Sequence, residues 1–302
     1  MNDYYEGRLT ITELFKIGIK RKLTIISVTS FFAIFSIFYA LSVDDIYESR
    51  SILEVKQSNI KSASSMSAIS SLAGISLENN KEISEIIQTL KSRDFAKHLI
   101  KFDGVLESLL AIDFYDPETK SIVFDSTLFD KRNMKWVRIP SKNQKQTPTF
   151  LEAHYELQKN VISYKKIDDN YIEIIVEHPS PIFARDLLIL IIKELNTIIR
   201  DKDTTVAKNA INFLNLELNK TNQVEIRKSI NELIKPNLEM LMLADIDDYY
   251  KLEPIDQPFI PETRSSPNRK LICIIITMLG LFLSYFYVLI RHIFKREFKG
   301  VN

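Results

Sequence analysis

The sequence predicts a membrane-anchored α+β protein, in which two transmembrane helices flank one domain with a mixed α/β base and a long protruding helical hairpin. Three observations carry this prediction. Residues 23–43 and 271–290 are apolar runs without a charge, one near each end. Short β-rich runs lie between them. Residues 182–221 contain neither proline nor glycine and keep a helical spacing of apolar residues.

The two apolar runs are long enough to cross a bilayer, because about 20 residues rising ~1.5 Å each span the ~30 Å hydrocarbon core. A buried core helix is the alternative for either run. For the first run, residues 40–42 (ALS) also fit a signal-peptidase site. Cleavable apolar cores are only about 7–15 residues long. We therefore expect an uncleaved anchor at residues 23–43 and a second transmembrane helix at residues 271–290.

Basic residues near the two runs set the expected orientation. Residues 20–22 are KRK, and residues 291–302 carry four basic side chains. Both ends, residues 1–22 and 291–302, are therefore expected on the cytoplasmic side of a bacterial inner membrane. Residues 44–270 then form a periplasmic domain, since long domains translocate largely regardless of their charge.

Charge and cysteine content exclude several classes of function. Residues 1–22 carry +2 and residues 291–302 carry +3, which leaves −4 for residues 44–270 of a chain whose total is +1. A mildly acidic domain is not built to bind nucleic acid. The single cysteine, Cys273, lies in the second apolar run. The domain is therefore expected to have no disulfide and no cysteine-ligated metal.

The first half of the domain mixes short strands and helices. Residues 47–55 are typical of a strand, and the serine-rich residues 62–76 of a loose connection. An apolar stripe over residues 83–99 predicts helix, with Ser92 able to interrupt it and cap a second helix. Irregular short elements are expected over residues 106–148. Residues 161–176 form two β-rich runs around a polar turn and predict a hairpin.

The second half is dominated by a predicted helical hairpin. Ser180 can cap a long helix over residues 181–221, and Pro181 suits its first turn. A returning helix is predicted at residues 224–245, where Pro236 should kink it or break one hydrogen bond. Prolines after residue 245 then predict an extended segment back to the membrane. The apolar stripe of the long helix needs neighbours and predicts a homo-oligomer; it consists of Leu187, Ile191, Leu195, Ile198, Ile211, Leu214 and Leu218.

Small residues recur on one face of each apolar run, which permits close helix packing in lipid. We predict that the two faces meet, within or between protomers, and chance spacing is the alternative. The faces are Thr29, Ala33, Ser36 and Ala40 in the first run, and Cys273, Thr277, Gly280 and Ser284 in the second.

No arrangement of residues indicates an enzyme or a cofactor. His178 precedes Pro179 and is interpreted as a packing residue at the start of the long helix. Asp245, Asp247 and Asp248 lack the spacing of a calcium loop, and a solvated helix end is the preferred interpretation. No phosphate-binding GxxxxGK[ST] motif is present.

Several segments in order resemble the Wzz-type polysaccharide co-polymerases, the chain-length determinants of bacterial surface polysaccharides. They are residues 72–76 (LAGIS), residues 90–95 (LKSRDF), residues 177–184 (EHPSPIFA) and residues 240–244 (MLMLA). The most specific is the run before the second apolar segment, with Pro258, Pro261, Ser266, Pro267, Arg269 and Lys270.

The resemblance implies a bell-shaped or ring-like homo-oligomer that regulates how long a lipid-linked glycan grows, in concert with the membrane polymerase. It leaves open whether the glycan contacts the domain. Residues 106–148 have no counterpart, and Pro236 departs from the family pattern, so the family's chain-length setting does not transfer. Two other functions compete: a two-span periplasmic sensor or adaptor that signals through a partner protein, and an envelope hydrolase or transferase, for which no catalytic residues are found.

Overall fold

The computed structural model describes residues 20–56, 80–142 and 144–299, which form two compact units. One unit comes from residues 1–45 and 264–302, the other from residues 46–263. The predicted serine-rich connection at residues 62–76 and the family-like residues 72–76 lie outside the described residues. In chain order the elements are α1 (Lys22–Ser42), β1 (Tyr47–Val55), α2 (Asn80–Lys91), α3 (Arg93–Leu99), α4 (Val105–Leu110), β2 (Ile112–Asp116), β3 (Ser121–Phe124), β4 (Phe129–Asp130), β5 (Lys135–Trp136), α5 (Phe150–Glu156) with a π-turn (Leu157–Val161), β6 (Ile162–Lys166), β7 (Tyr171–His178), α6 (Pro181–Lys220), α7 (Val224–Ile246), β8 (Leu252–Pro254) and α8 (Arg269–Lys299).

Helices α1 and α8 pack against each other and expose most of their apolar surface. In α1 only 11% of an apolar stretch of 18 residues is buried, and in α8 only 17% of such a stretch is buried. Phenylalanines such as Phe31, Phe38 and Phe282 are largely exposed. A buried core helix does not fit this exposure, whereas a lipid-facing helix does. Helix α8 continues past residue 290 to Lys299, because residues 291–299 include neither glycine nor proline.

The second unit is built on a four-stranded antiparallel sheet in the order β6-β7-β1-β8. Strand β7 alternates buried and half-buried residues, and its buried positions Ile172, Ile174 and Val176 face the core. Helix α6 contacts β1 and β7, and its first half supplies Leu187 and Leu188 to the same core. The sheet therefore has one face covered by helices, as period-2 alternation requires.

Helices α2 and α3 add to this core and are separated at Ser92. The Phe95 amide donates to Ser92 Oγ at 3.0 Å, so Ser92 is the N-cap of α3. The interruption expected at Ser92 is confirmed.

The described residues between α3 and α5 form short elements beside the main sheet, in agreement with the irregular short elements expected over residues 106–148. Strands β2 and β3 pair with each other, and so do β4 and β5. Edge-on aromatic contacts hold the two small sheets together, with ring centroids 5.4 Å apart for Phe124 and Phe129 and 5.3 Å apart for Phe129 and Trp136.

Helices α6 and α7 form a helical hairpin. Helix α6 has 40 residues and α7 has 23. Side chains in the first half of α6 are in the domain core, whereas beyond Arg200 only Ala207 is fully buried among the described residues of the helix. Helix α7 runs through Pro236 without ending, so this proline removes one backbone hydrogen bond rather than terminating the helix.

Candidate interaction surfaces

The eight small residues singled out in the apolar runs are all buried or half-buried, among large side chains that are exposed. Ser36, Ala40, Gly280 and Ser284 are buried. A Cβ atom added to Gly280 would lie 2.4 Å from Cβ of Phe32, so only glycine permits this approach of α1 and α8.

Cys273 also faces α1 in this pair. Its Sγ lies 3.8 Å from the Ser36 carbonyl oxygen. Thr29, Ala33 and Thr277 are half-buried. The geometry is that of a close helix pair in which small side chains face each other.

Two arginines of the segment before the second apolar run bind one aspartate. Arg269 Nη2 lies 2.8 Å and Arg264 Nη1 3.1 Å from Asp45 Oδ1, and Asp45 closely follows α1. These ion pairs thus join the chain just after α1 to the start of α8 and to the segment before it. Of the other residues singled out there, Pro261 is buried, Pro258, Ser266 and Pro267 are half-buried and Lys270 is exposed; the Ser266–Pro267 peptide bond is cis.

The apolar stripe predicted for oligomer contacts divides into two parts. Leu187, Ile191 and Leu195 are in the core of the domain and are not accessible to a second copy. A repeat of apolar residues every 3.6 positions indicates that one face of a helix is buried. It does not show whether the rest of the domain or a second copy covers that face. Ile198 packs at the edge of the same core, whereas Ile211, Leu214 and Leu218 are half-buried in the distal half of α6, which packs on α7.

Other apolar residues of the hairpin are exposed, and the sequence did not single them out. On α6, Phe213 and Leu216 are each 62% exposed, and Val206 lies one heptad before Phe213. On α7, Leu238, Met242 and Ile246 recur every four residues and are exposed. We call these the outer faces of α6 and α7. Each is solvent-facing, so each lies away from the partner helix.

Polar side chains buried between α6 and its neighbours are structural. Glu194 Oε2 lies 2.6 Å from His98 Nε2, which links α6 to α3. The side-chain Nδ2 of Asn196 donates to the Leu252 carbonyl at 2.9 Å, and its Oδ1 accepts from the backbone amides of Lys251 and Leu252. These hydrogen bonds hold β8 against α6. No sequence motif marked these residues, because they interrupt an apolar helical run without a local pattern.

His178 is a buried packing residue, as the sequence indicated. Its Nε2 donates to the Ser108 carbonyl at 3.0 Å, and its Nδ1 accepts from the Ser180 amide at 3.0 Å. Burial lowers the pKa of His178 to about 4, so the ring is neutral.

The acidic group after α7 is tied to lysine and arginine. Asp247 pairs with Lys56 at 2.6 Å, and that hydrogen bond lowers the pKa of Asp247. The Arg200 guanidinium donates to the Asp247 and Asp248 carbonyls. Within the described residues, no group of three or more His, Cys, Asp or Glu side chains is placed to hold a metal ion.

Comparison with known protein families gives a match over the N-terminal part of the chain. Residues 7–101 match the Wzz family model, described as a chain length determinant protein. This segment contains α1, β1, α2 and α3, and it confirms the resemblance to Wzz-type co-polymerases. Together with the two membrane-capable helices, it fits an inner-membrane protein, and the family match supports a role in regulating chain length.

Solved structures that resemble the chain include two polysaccharide co-polymerases. A full-length bacterial polysaccharide co-polymerase has 12% sequence identity and a TM-score of 0.41, with 95% of this chain and 99% of that chain covered. A fragment of WzzB, a polysaccharide co-polymerase from Salmonella Typhimurium, has 14% identity and a TM-score of 0.30, with 74% and 100% covered. The comparison with curated proteins gives no match.

Proposed function

We propose that this protein sets the chain length of a lipid-linked surface polysaccharide as a non-enzymatic, oligomeric scaffold that works beside the membrane polymerase. The chain length determinant match over residues 7–101 carries this proposal. No cofactor is needed, because the scaffold acts through shape and contact rather than through bond chemistry.

The proposed topology has both termini in the cytoplasm and residues 44–270 in the periplasm. Basic residues 20–22 and the basic residues after residue 290 support it, since Lys and Arg favour the cytoplasmic side. The small-residue faces of α1 and α8 are proposed to pack as anchors, within one protomer or between two.

The outer faces of α6 and α7 support assembly into a closed ring. Phe213 on α6 and Met242 on α7 are both exposed, and each lies away from the other helix of its own hairpin. Joining the α6 outer face of one copy to the α7 outer face of the next is a head-to-tail contact, which closes into a ring when the rotation permits. Ring closure would bury both faces in every copy.

A deletion strain tests the proposed function. We expect the length distribution of the surface glycan to change on a gel ladder while synthesis continues, because the scaffold does not catalyse polymerisation. Complementation with the intact chain should restore the original ladder. An unchanged ladder would contradict the proposal and favour the two-span sensor, and a complete loss of polymer would indicate a catalytic component.

A further inference from the structure

The segment at residues 131–145 combines positive charge with exposed apolar side chains. It carries six basic residues and no acidic one, within a domain whose net charge is −4. These are Lys131, Arg132, Lys135, Arg138, Lys142 and Lys145, and all except Arg138 are exposed. We call residues 131–145 the basic segment.

Apolar side chains stand between these cations and face solvent. Ile139 is 94% exposed and Met134 is 65% exposed, and Met134 lies in the turn between β4 and β5 with φ 51°. Val137 is exposed and Trp136 is half-buried. Cations interleaved with exposed apolar and aromatic side chains are the composition of segments that bind an anionic bilayer surface.

The basic segment is held in place on the domain. The Arg138 guanidinium binds Glu152 at 2.6 Å and donates to the Lys145 and Gln146 carbonyls. This pairing lowers the pKa of Glu152. Arg138 therefore ties the middle of the segment to its C-terminal end and to α5, and the other five cations are exposed.

The first residue of the segment, Lys131, lies near the point where the chain enters the domain. The Tyr47 ring, at the start of β1, contacts the Tyr115 ring with centroids 6.3 Å apart. Tyr115 pairs with Ile122, whose carbonyl lies 3.4 Å from Lys131 Nζ. Only residues 43–46 separate β1 from the end of α1. A bilayer that holds α1 is thus connected to β1 by a link of only four residues.

We propose that the basic segment docks on the anionic surface of the bilayer that anchors the protein. The lysines and Arg132 contact lipid phosphates, and Met134, Val137 and Ile139 enter the headgroup region. A hydrated acidic glycan would use the cations but would gain nothing from a 94% exposed isoleucine, so the lipid surface fits both observations.

Fluorescence quenching in nanodiscs tests the docking. The full-length chain, with Cys273→Ser, carries a bimane label at Met134→Cys, or at Ile139→Cys as a second position. The discs contain phosphatidylglycerol with doxyl-labelled lipid, or phosphatidylcholine with the same quencher. A label at Asn209→Cys, an exposed position on α6, is the control.

We expect quenching at positions 134 and 139 to exceed that at position 209 severalfold in phosphatidylglycerol discs, and to fall at high salt as the Debye length shrinks from ~10 Å at 0.1 M to ~3 Å at 1 M. Each cation near an anionic surface raises the binding constant about fivefold, so K131Q/R132Q/K135Q should lower it on the order of a hundredfold. The matched triple K208Q/K228Q/K235Q, on the helical hairpin, should leave quenching unchanged.

Equal quenching at positions 134, 139 and 209 in phosphatidylglycerol discs would overturn the proposal. Quenching that is insensitive to K131Q/R132Q/K135Q would also overturn it. So would labels at positions 134 and 139 whose fluorescence changes only when an acidic polysaccharide is added. These readouts do not involve glycan length, so their failure is separate from a failure of the chain-length function.

Discussion

At the scale of single residues, burial of polar groups fixes where the long helix begins and where the chain returns to the sheet. Asn196 makes hydrogen bonds to Ile192, Lys251 and Leu252, and His178 joins Ser108 to Ser180. Each buried group has its partners, which is what makes its burial tolerable. The sequence indicated the packing role of His178 from its place beside Pro179. The sequence did not indicate Asn196, because its partners Lys251 and Leu252 are more than 50 residues away in the chain.

The neutral state of His178 predicts a pH dependence of stability. Its pKa falls from 6.5 in the unfolded chain to about 4 in the folded one, so the unfolded chain binds the extra proton first as pH drops. The full stability is present above pH ~6.5 and declines as pH falls toward ~4, by about 2 kcal/mol at pH 5. Urea unfolding of the full chain in detergent, followed by circular dichroism at pH 7 and pH 5, measures this.

His178→Gln should remove this part of the pH dependence, because glutamine does not titrate. His154→Gln is the matched control, since His154 is half-buried and hydrogen-bonded to the Lys91 carbonyl. Parallel pH responses of the intact chain and His178→Gln would show that His178 does not carry the effect.

At the scale of elements, α6 performs two tasks along one helix. Its first half closes the core over β7 and β1, and its second half forms the hairpin with α7. The apolar period indicated the helix and its partner well. It did not distinguish Leu187, which is buried in the core, from Phe213, which is exposed to solvent. That distinction depends on which residues of the sheet and of α2 lie beside each turn, and periodicity within one helix does not contain it.

The hairpin predicts two different outcomes for two pairs of substitutions. F213D/L216D places charge on the exposed outer face of α6, so the hairpin should stay folded while the particle becomes smaller. I211D/L214D places charge on the half-buried side, so helicity and stability should fall as well. Particle mass in detergent and far-UV circular dichroism separate the two. Full-size particles for F213D/L216D would rule out the outer face as a contact between copies.

The packing of α1 on α8 predicts a specific crosslink. Ala40→Cys should join native Cys273 under mild oxidation in native membranes, because Ala40 is buried and Cys273 contacts Ser36, which lies about one helical turn before Ala40. Phe38→Cys is the control, since Phe38 is exposed. Gly280→Leu should reduce the crosslink by forcing the helices apart at Phe32. Equal crosslinking from positions 38 and 40 would contradict the small-residue faces.

At the scale of the whole molecule, the chain combines a family match, two membrane-capable helices and a helical hairpin with exposed apolar faces. The sequence indicated the two apolar helices, the mixed α and β elements and the hairpin, since each follows from hydrophobic periodicity and chain length. It did not indicate the basic segment as a surface. Its cations follow no regular period, and their exposure depends on the fold of β4, β5 and the contacts of Arg138.

The proposed function requires contacts between copies through the hairpin, which set glycan length without catalysis. The most direct measurement is the glycan ladder of a strain whose only copy of the protein carries F213D/L216D, with equal amounts of protein confirmed in the membrane. We expect polymer of a shifted or unregulated length distribution, with synthesis intact. A ladder identical to that of the unaltered chain, from a variant shown to be monomeric, would contradict the claim.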